Sequence, residues 1–133
     1  EGLASLYPSP VPIALDESLH GPDGIARLEQ ALREGWAHVL VVKPMALGPT
    51  RVQALCDIAV RHGAPIVFSH LFGGPLAYAA TALFAFRFAS PELAQGLARH
   101  SALDAYPSYS TQLAASGMLE PWEGRRWPVS EAT

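Results

Sequence analysis

Apolar residues fall in four short runs, each set off by a proline or a glycine-bounded turn: Ile13-Ala14-Leu15, Val39-Leu40-Val41-Val42, Ile66-Val67-Phe68, and a weaker run from Leu93 to Leu97. The second and third are continuous and rich in β-branched residues, the pattern of parallel strands covered on both faces. Helical periodicity lies between them. Ile25, Leu28 and Leu32 share one face, Arg27, Glu29, Gln30, Arg33 and Glu34 lie opposite, and Gly35 closes the segment. Val52, Leu55, Cys56 and Ala59 repeat the pattern, with Pro49 and Thr50 at its start and Gly63 at its stop. A third helix, from about Pro75 to Phe88, is apolar nearly all round and is expected to be deeply covered. Its aromatic residues read as core. Strand and helix alternate with short loops, which predicts an α/β fold with a parallel sheet.

The spacing says more than the class. Asp16, Lys43 and His70 end the first three strands, and successive ones are 27 residues apart. The same step reaches Leu97, beside Gly96 at the end of the weak fourth strand. Regular strand–helix units with polar groups at their carboxyl ends suit a (β/α)8 TIM-type barrel, whose sites lie on that face. Such a barrel takes ~250 residues, so the four units are expected to be half of one and the chain the C-terminal piece of a longer protein. Residues 1–10 are then the end of a preceding barrel helix, 11–104 the half barrel and 105–133 an irregular C-terminal tail. The alternative is an open doubly wound sheet, complete in itself. Against it, no G-x-G-x-x-G or G-x-x-x-x-G-K-[ST] loop follows any strand, and Gly73-Gly74-Pro75 alone is a weak anion-loop signal.

Composition narrows the function classes. Half of the 133 residues are apolar, 16% are charged, and the formal net charge is −3. That excludes an intrinsically disordered chain. Lys and Arg are not clustered as a nucleic-acid surface requires, and the Arg125-Arg126 pair beside Trp122 and Trp127 makes no groove. The longest apolar run, Pro75 to Phe86, has 12 residues against the ~18 of a membrane span. One cysteine, Cys56, allows no internal disulfide. No signal peptide is apparent at Glu1-Gly2-Leu3-Ala4. The expectation is a cytoplasmic protein with neither nucleic acid nor membrane as partner.

Lys43 is the single lysine; the other eight basic residues are arginines. A structural lysine usually sits on a helix face with its head in water. Lys43 instead follows four apolar residues and precedes Pro44, where an ammonium facing a barrel mouth can titrate or stabilise a developing anion. A solvated strand-end lysine is the plainer alternative. Asp16-Glu17 occupies the corresponding place on the first strand. Paired acids there suit a hard-cation ligand with a neighbour that orients it, or equally a cap for the next helix. His70 suits a polar strand end as well as a catalyst. Ser69 lacks the flanking glycines of a G-x-S-x-G nucleophile. No H-E-x-x-H or C-x-x-C spacing occurs.

These residues carry a resemblance. Pro12-Ile13-Ala14-Leu15-Asp16-Glu17-Ser18 resembles the fifth-strand motif of the enolase superfamily. Val41-Val42-Lys43-Pro44, with Gly48 soon after, resembles the sixth strand of its muconate-lactonising subgroup. Within that subgroup the pair is most similar to the o-succinylbenzoate synthases, over roughly residues 1 to 104. The resemblance implies a capping domain over a modified (β/α)8 barrel, with Mg²⁺ held by carboxylates of the third, fourth and fifth strands. A second-strand lysine removes the proton α to a carboxylate, and the metal stabilises the enediolate. Carried over, Asp16 is the third metal ligand, with Glu17 behind it. Lys43 is the lysine on the opposite side of the substrate. Ser69, His70 and Gly96 line the substrate pocket at the ends of strands seven and eight.

The implied partners are a small-molecule carboxylate substrate and the missing N-terminal half, which would carry the second-strand lysines and the other two metal ligands. Ser69-His70-Leu71-Phe72 also resembles the seventh strand of mandelate racemase relatives, whose histidine is paired with a sixth-strand aspartate. Lys43 takes that aspartate's place here, so the dyad cannot form. The Asp-x-Asp of dipeptide epimerases is absent from Gln95-Gly96-Leu97-Ala98. Two other functions fit the same residues: an N-acylamino-acid racemase of the superfamily, and a non-catalytic α/β scaffold or ligand-binding domain.

Overall fold

The computed structural model describes Ser5 and residues 7–98. Three strands, β1 (Ala14–Leu15), β2 (Val39–Val42) and β3 (Ile66–Phe68), form one parallel sheet in the order β1-β2-β3. The helices are α1 (Gly24–Glu34), the one-turn α2 (Pro44–Leu47), α3 (Pro49–His62) and α4 (Pro75–Phe88). Gly35 and Gly63 close α1 and α3 as the sequence pattern predicts. The short α2, opened by Pro44 at its first position, was not expected.

Burial alternates along every strand. Leu15, Leu40, Val42, Ile66 and Phe68 are buried, whereas Val39, Val41 and Val67 are half-buried and Ala14 is exposed. One face of the sheet therefore lies under the helices and the other is open. The covered face packs with Leu19, Leu28, Ala31, Val52, Leu55, Cys56, Ile58 and Ala59 into one core. Ile25 was expected in that core, yet it is 37% exposed. The cause is Gly24: a β-carbon there would stand 2.1 Å from the Leu19 carbonyl oxygen. That close approach turns the stripe Gly24, Leu28 and Ala31 inwards and leaves Ile25 at its margin.

Two expectations need correcting. α4 is not deeply covered: Leu76 is 75% and Leu83 65% exposed. Its buried residues are small, Ala77, Ala79, Thr81 and Ala85; Phe84 and Phe88 pack half-buried against the core, and the leucines are left outside. The run Leu93–Leu97 forms no strand. It contributes one parallel bridge, Ser69 to Gly96. The remaining edge groups of β3 are held mostly by side chains: Ser90 Oγ accepts from Ile66 N–H at 3.0 Å and Gln95 Oε1 from Phe68 N–H at 2.8 Å. Polar side chains thus replace the ladder that an apolar run would have made. Ser5 lies in a 3-10 turn and residues 7–10 are irregular. The other residues of the expected leading helix, and the tail from 105, lie outside the described residues.

Register refines the repeat. Ala14 pairs with Val39, 25 residues on, and Leu40 with Ile66, 26 on. The 27-residue step is therefore a repeat of the unit, not of the pairing. Relative to the ladder, Lys43 stands two positions beyond the residue level with Asp16, on the same face. His70 stands one position beyond the residue level with Lys43, on the opposite face.

Candidate active site

Asp16 follows the last residue of β1 and opens a 3-10 turn, Glu17–Leu19, whose Leu19 is fully buried. The Asp16 carbonyl accepts from Leu19 N–H at 2.9 Å, so its backbone is fixed. Neither Asp16 nor Asp23 makes a side-chain cap bond. Two arginines of the helices tie down the segment that follows: Arg27 donates to the Ser18 carbonyl at 2.6 Å, and Arg51 donates to that of Gly21. Nothing in the local pattern announces these ties, because both arginines occupy ordinary helix-surface positions.

Lys43 leaves β2 with extended backbone, φ −114° and ψ 91°. Pro44 disfavours helical geometry at the residue before it. The strand alternation therefore runs through Lys43, which falls on the open face with Val39 and Val41. Asp16 falls there with Ala14. Their side chains meet: Lys43 Nζ donates to Asp16 Oδ2 at 2.7 Å and to Glu17 Oε1 at 2.7 Å. The Lys43 side chain is 14% exposed, so its stem is sheltered while its ammonium sits between two carboxylates. Those carboxylates, Asp16 first and then Glu17, raise the lysine above its ordinary value. The hydrogen bond from Lys43 holds the Glu17 carboxyl below its own.

Glu17 thus orients Lys43, whereas the sequence suggested only that it orients Asp16. The second oxygen, Asp16 Oδ1, is buried and has no hydrogen-bond partner. Ser18 Oγ and His20 Nε2 are likewise buried and unpartnered, so three orphaned polar atoms fall on one turn. Such atoms are rare in folded proteins and each calls for an explanation. No group of three or more His, Cys, Asp or Glu able to hold a metal occurs among the described residues.

Ser69 donates its backbone N–H to the Val42 carbonyl at 3.0 Å and continues the ladder on the face that carries Lys43. Gly96 is packed against it. A β-carbon there would stand 2.8 Å from Ser69 Oγ and 2.9 Å from its Cβ, so only glycine fits. His70 turns the other way, towards α4, with ring centroids 4.8 Å from Phe72 and 5.6 Å from Tyr78. The structure thus brings Asp16, Glu17 and Lys43 into contact, sets Ser69 and Gly96 on the next strand end, and places His70 between strand and helix. Of the remaining histidines, His38 Nδ1 accepts from Ile13 N–H at 3.1 Å and His62 lies 3.3 Å from Glu29. A separate open cleft of about 410 Å³, lined by Pro22, Leu47, Thr50 and Arg51 among others, includes none of the site residues.

The geometry is an ammonium and an acid pair at the carboxyl ends of adjacent parallel strands, on the sheet face without helices. A family model described as enolase C-terminal domain-like matches residues 1–123. No curated protein and no solved structure matches the chain. The matched family has an α/β TIM-barrel-like fold and groups Mg²⁺-dependent lyases and racemases. A three-stranded parallel sheet with one face open is consistent with a part of such a barrel. With the match spanning most of its length, the chain belongs to the enolase C-terminal domain-like family.

Proposed function

We propose that this chain is the C-terminal half-barrel of a cytoplasmic Mg²⁺-dependent lyase of the o-succinylbenzoate synthase type, which removes the proton α to a carboxylate and eliminates water. The observation that carries it is the contact between Asp16 and Lys43, combined with the buried, unpartnered Oδ1 of Asp16. A carboxylate oxygen shielded from water and without a donor suits a hard dication. Asp16 would hold the Mg²⁺ together with carboxylates outside this chain. When bound, the ion would offset the charge of the substrate carboxylate and so ease loss of the α-proton.

The residues of this chain supply the rest. Lys43 places a positive charge beside the carboxylate from the direction of β2 and stabilises the enediolate oxygen as it gains charge. The acid pair keeps that lysine protonated and fixes where its charge is held. Ser69 would present its hydroxyl to the substrate from the neighbouring strand end. The base that takes the α-proton would come from the N-terminal half. The same base would return that proton to the β-hydroxyl, which leaves as water as the enediolate collapses to the alkene.

The test is to assay the complete protein with Mg²⁺ on the o-succinylbenzoate synthase substrate and on N-acylamino acids. Dehydration of the first supports the proposal. Turnover of N-acylamino acids alone would make the protein a racemase acting through the same lysine. Inactivity on both in a folded, Mg²⁺-binding protein would overturn the assignment to either reaction.

A further inference from the structure

We propose that Glu17 is a positioning residue for cation binding: it holds the Lys43 ammonium that would otherwise stay on Asp16, and so leaves Asp16 able to ligate a divalent cation. This rests on the assignment of Asp16 as a metal ligand and adds a competition inside the site.

Lys43 Nζ lies 2.7 Å from Asp16 Oδ2 and 2.7 Å from Glu17 Oε1. An ammonium on Asp16 spends the negative charge that a dication requires, and two cations on one carboxylate repel. With Asp16 as its single acceptor, the ammonium would have to be left unpaired in a sheltered position when the cation bound. Such uncompensated burial is costly.

Glu17 removes that conflict. Its side chain is 75% exposed, so it contributes little to the core and is free to follow the lysine. Asp16 is one carbon shorter and starts from a backbone held by the Leu19 N–H, so its carboxylate has less reach. Arg27 and Arg51, which tie down the segment after Glu17, donate to the carbonyls of Ser18 and Gly21. The positive charge shared by the two acids in the salt bridges is that of Lys43.

The experiment is a calorimetric Mg²⁺ titration of the complete protein in four forms: wild type, Glu17→Gln, Lys43→Met and the double variant. Glu17→Gln should weaken Mg²⁺ binding roughly two- to fivefold, the size of an exposed ion pair. Lys43→Met should tighten it, and in that background Glu17→Gln should have no effect. Glu17→Asp, which keeps the charge, should restore part of the loss. If Lys43→Met does not fold, Lys43→Gln takes its place.

A loss that persists undiminished without the lysine would mean that Glu17 attracts the cation directly, and would overturn the proposal. Unchanged affinity in Glu17→Gln would overturn it too, while leaving Asp16 as a ligand. A folded wild-type protein that binds no Mg²⁺ would remove the metal assignment itself, and this inference with it.

Discussion

At the scale of single residues, the ion pairs of the candidate site converge on Lys43. If its ammonium stabilises the enediolate, Lys43→Ala in the complete enzyme should lower kcat by roughly 10²-fold, the loss seen when one oxyanion donor is removed. The denaturation midpoint should fall only modestly, because the variant loses two ion pairs but no core packing. Near-normal turnover in a folded variant would exclude it from the mechanism. The ion pairs also set a pH window. The carboxyl of Glu17 is lowered in the folded state, so its contribution is present above its ordinary value of 4.5 and is lost as pH falls through the lower, folded value. The lysine is raised, so its contribution is present below 10.5 and is lost as pH rises through the folded value above that. The stability difference between wild type and Glu17→Gln, followed by urea denaturation, should therefore be constant near neutrality and vanish in acid. The strand-end positions of Asp16 and Lys43 were legible because an acid pair and a lone lysine interrupt apolar runs. The bond from Lys43 to Glu17 was not, since neighbours in sequence give no sign of which one a distant lysine will reach.

Among the elements, the helices were read best where a glycine stopped them and apolar residues recurred on one face, as in α1 and α3. Reading failed where composition was uniform. In α4 the pattern holds apolar residues on every side, and only packing decides that alanines and a threonine are buried while Leu76 and Leu83 are exposed. The fourth run failed for the opposite reason: Gln95 and Ser90 satisfy the edge of β3 with side chains, which no hydrophobic period records. A direct comparison tests the assignment of faces. Leu55→Ala in α3, fully buried, should cost ~2–5 kcal/mol by denaturation. Leu83→Ala should stay within about 0.5 kcal/mol, as is usual for surface positions. Equal losses would mean that α4 buries its leucine face.

For the whole molecule, the asymmetry of the sheet matters most. The helix-covered face carries the core, while Ala14, Val39, Val41 and Val67 line a face without helices. β1 is an edge of only two paired residues. Exposed strand edges and apolar faces invite association. The 133-residue chain alone should therefore sediment above its monomer mass, increasingly so with concentration, or aggregate. A single monomeric species that unfolds cooperatively would show that the open face needs no cover. The α/β class and parallel order were legible from the alternation of elements. The register was not, because loops of unequal length hide it: pairings 25 and 26 residues apart carry polar ends 27 apart, and that difference sends His70 to the other face.

The side chains of Ser90 and Gln95 that hold the outer edge of β3 also set the order in which the molecule comes apart. A hydroxyl and an amide reach their acceptor positions through rotatable bonds, so the amide protons of Ile66 and Phe68 are guarded by groups that can swing away one at a time. Those of Leu40 and Val42 lie in a strand flanked on both sides and are released only when a neighbouring strand departs. In hydrogen exchange on the complete protein, Ile66 and Phe68 should lose protection before Leu40 and Val42, with opening free energies below that of global unfolding. Unfolding at that flank would then loosen α4 and the outer edge of β3 while the ladder between β2 and β3 still holds.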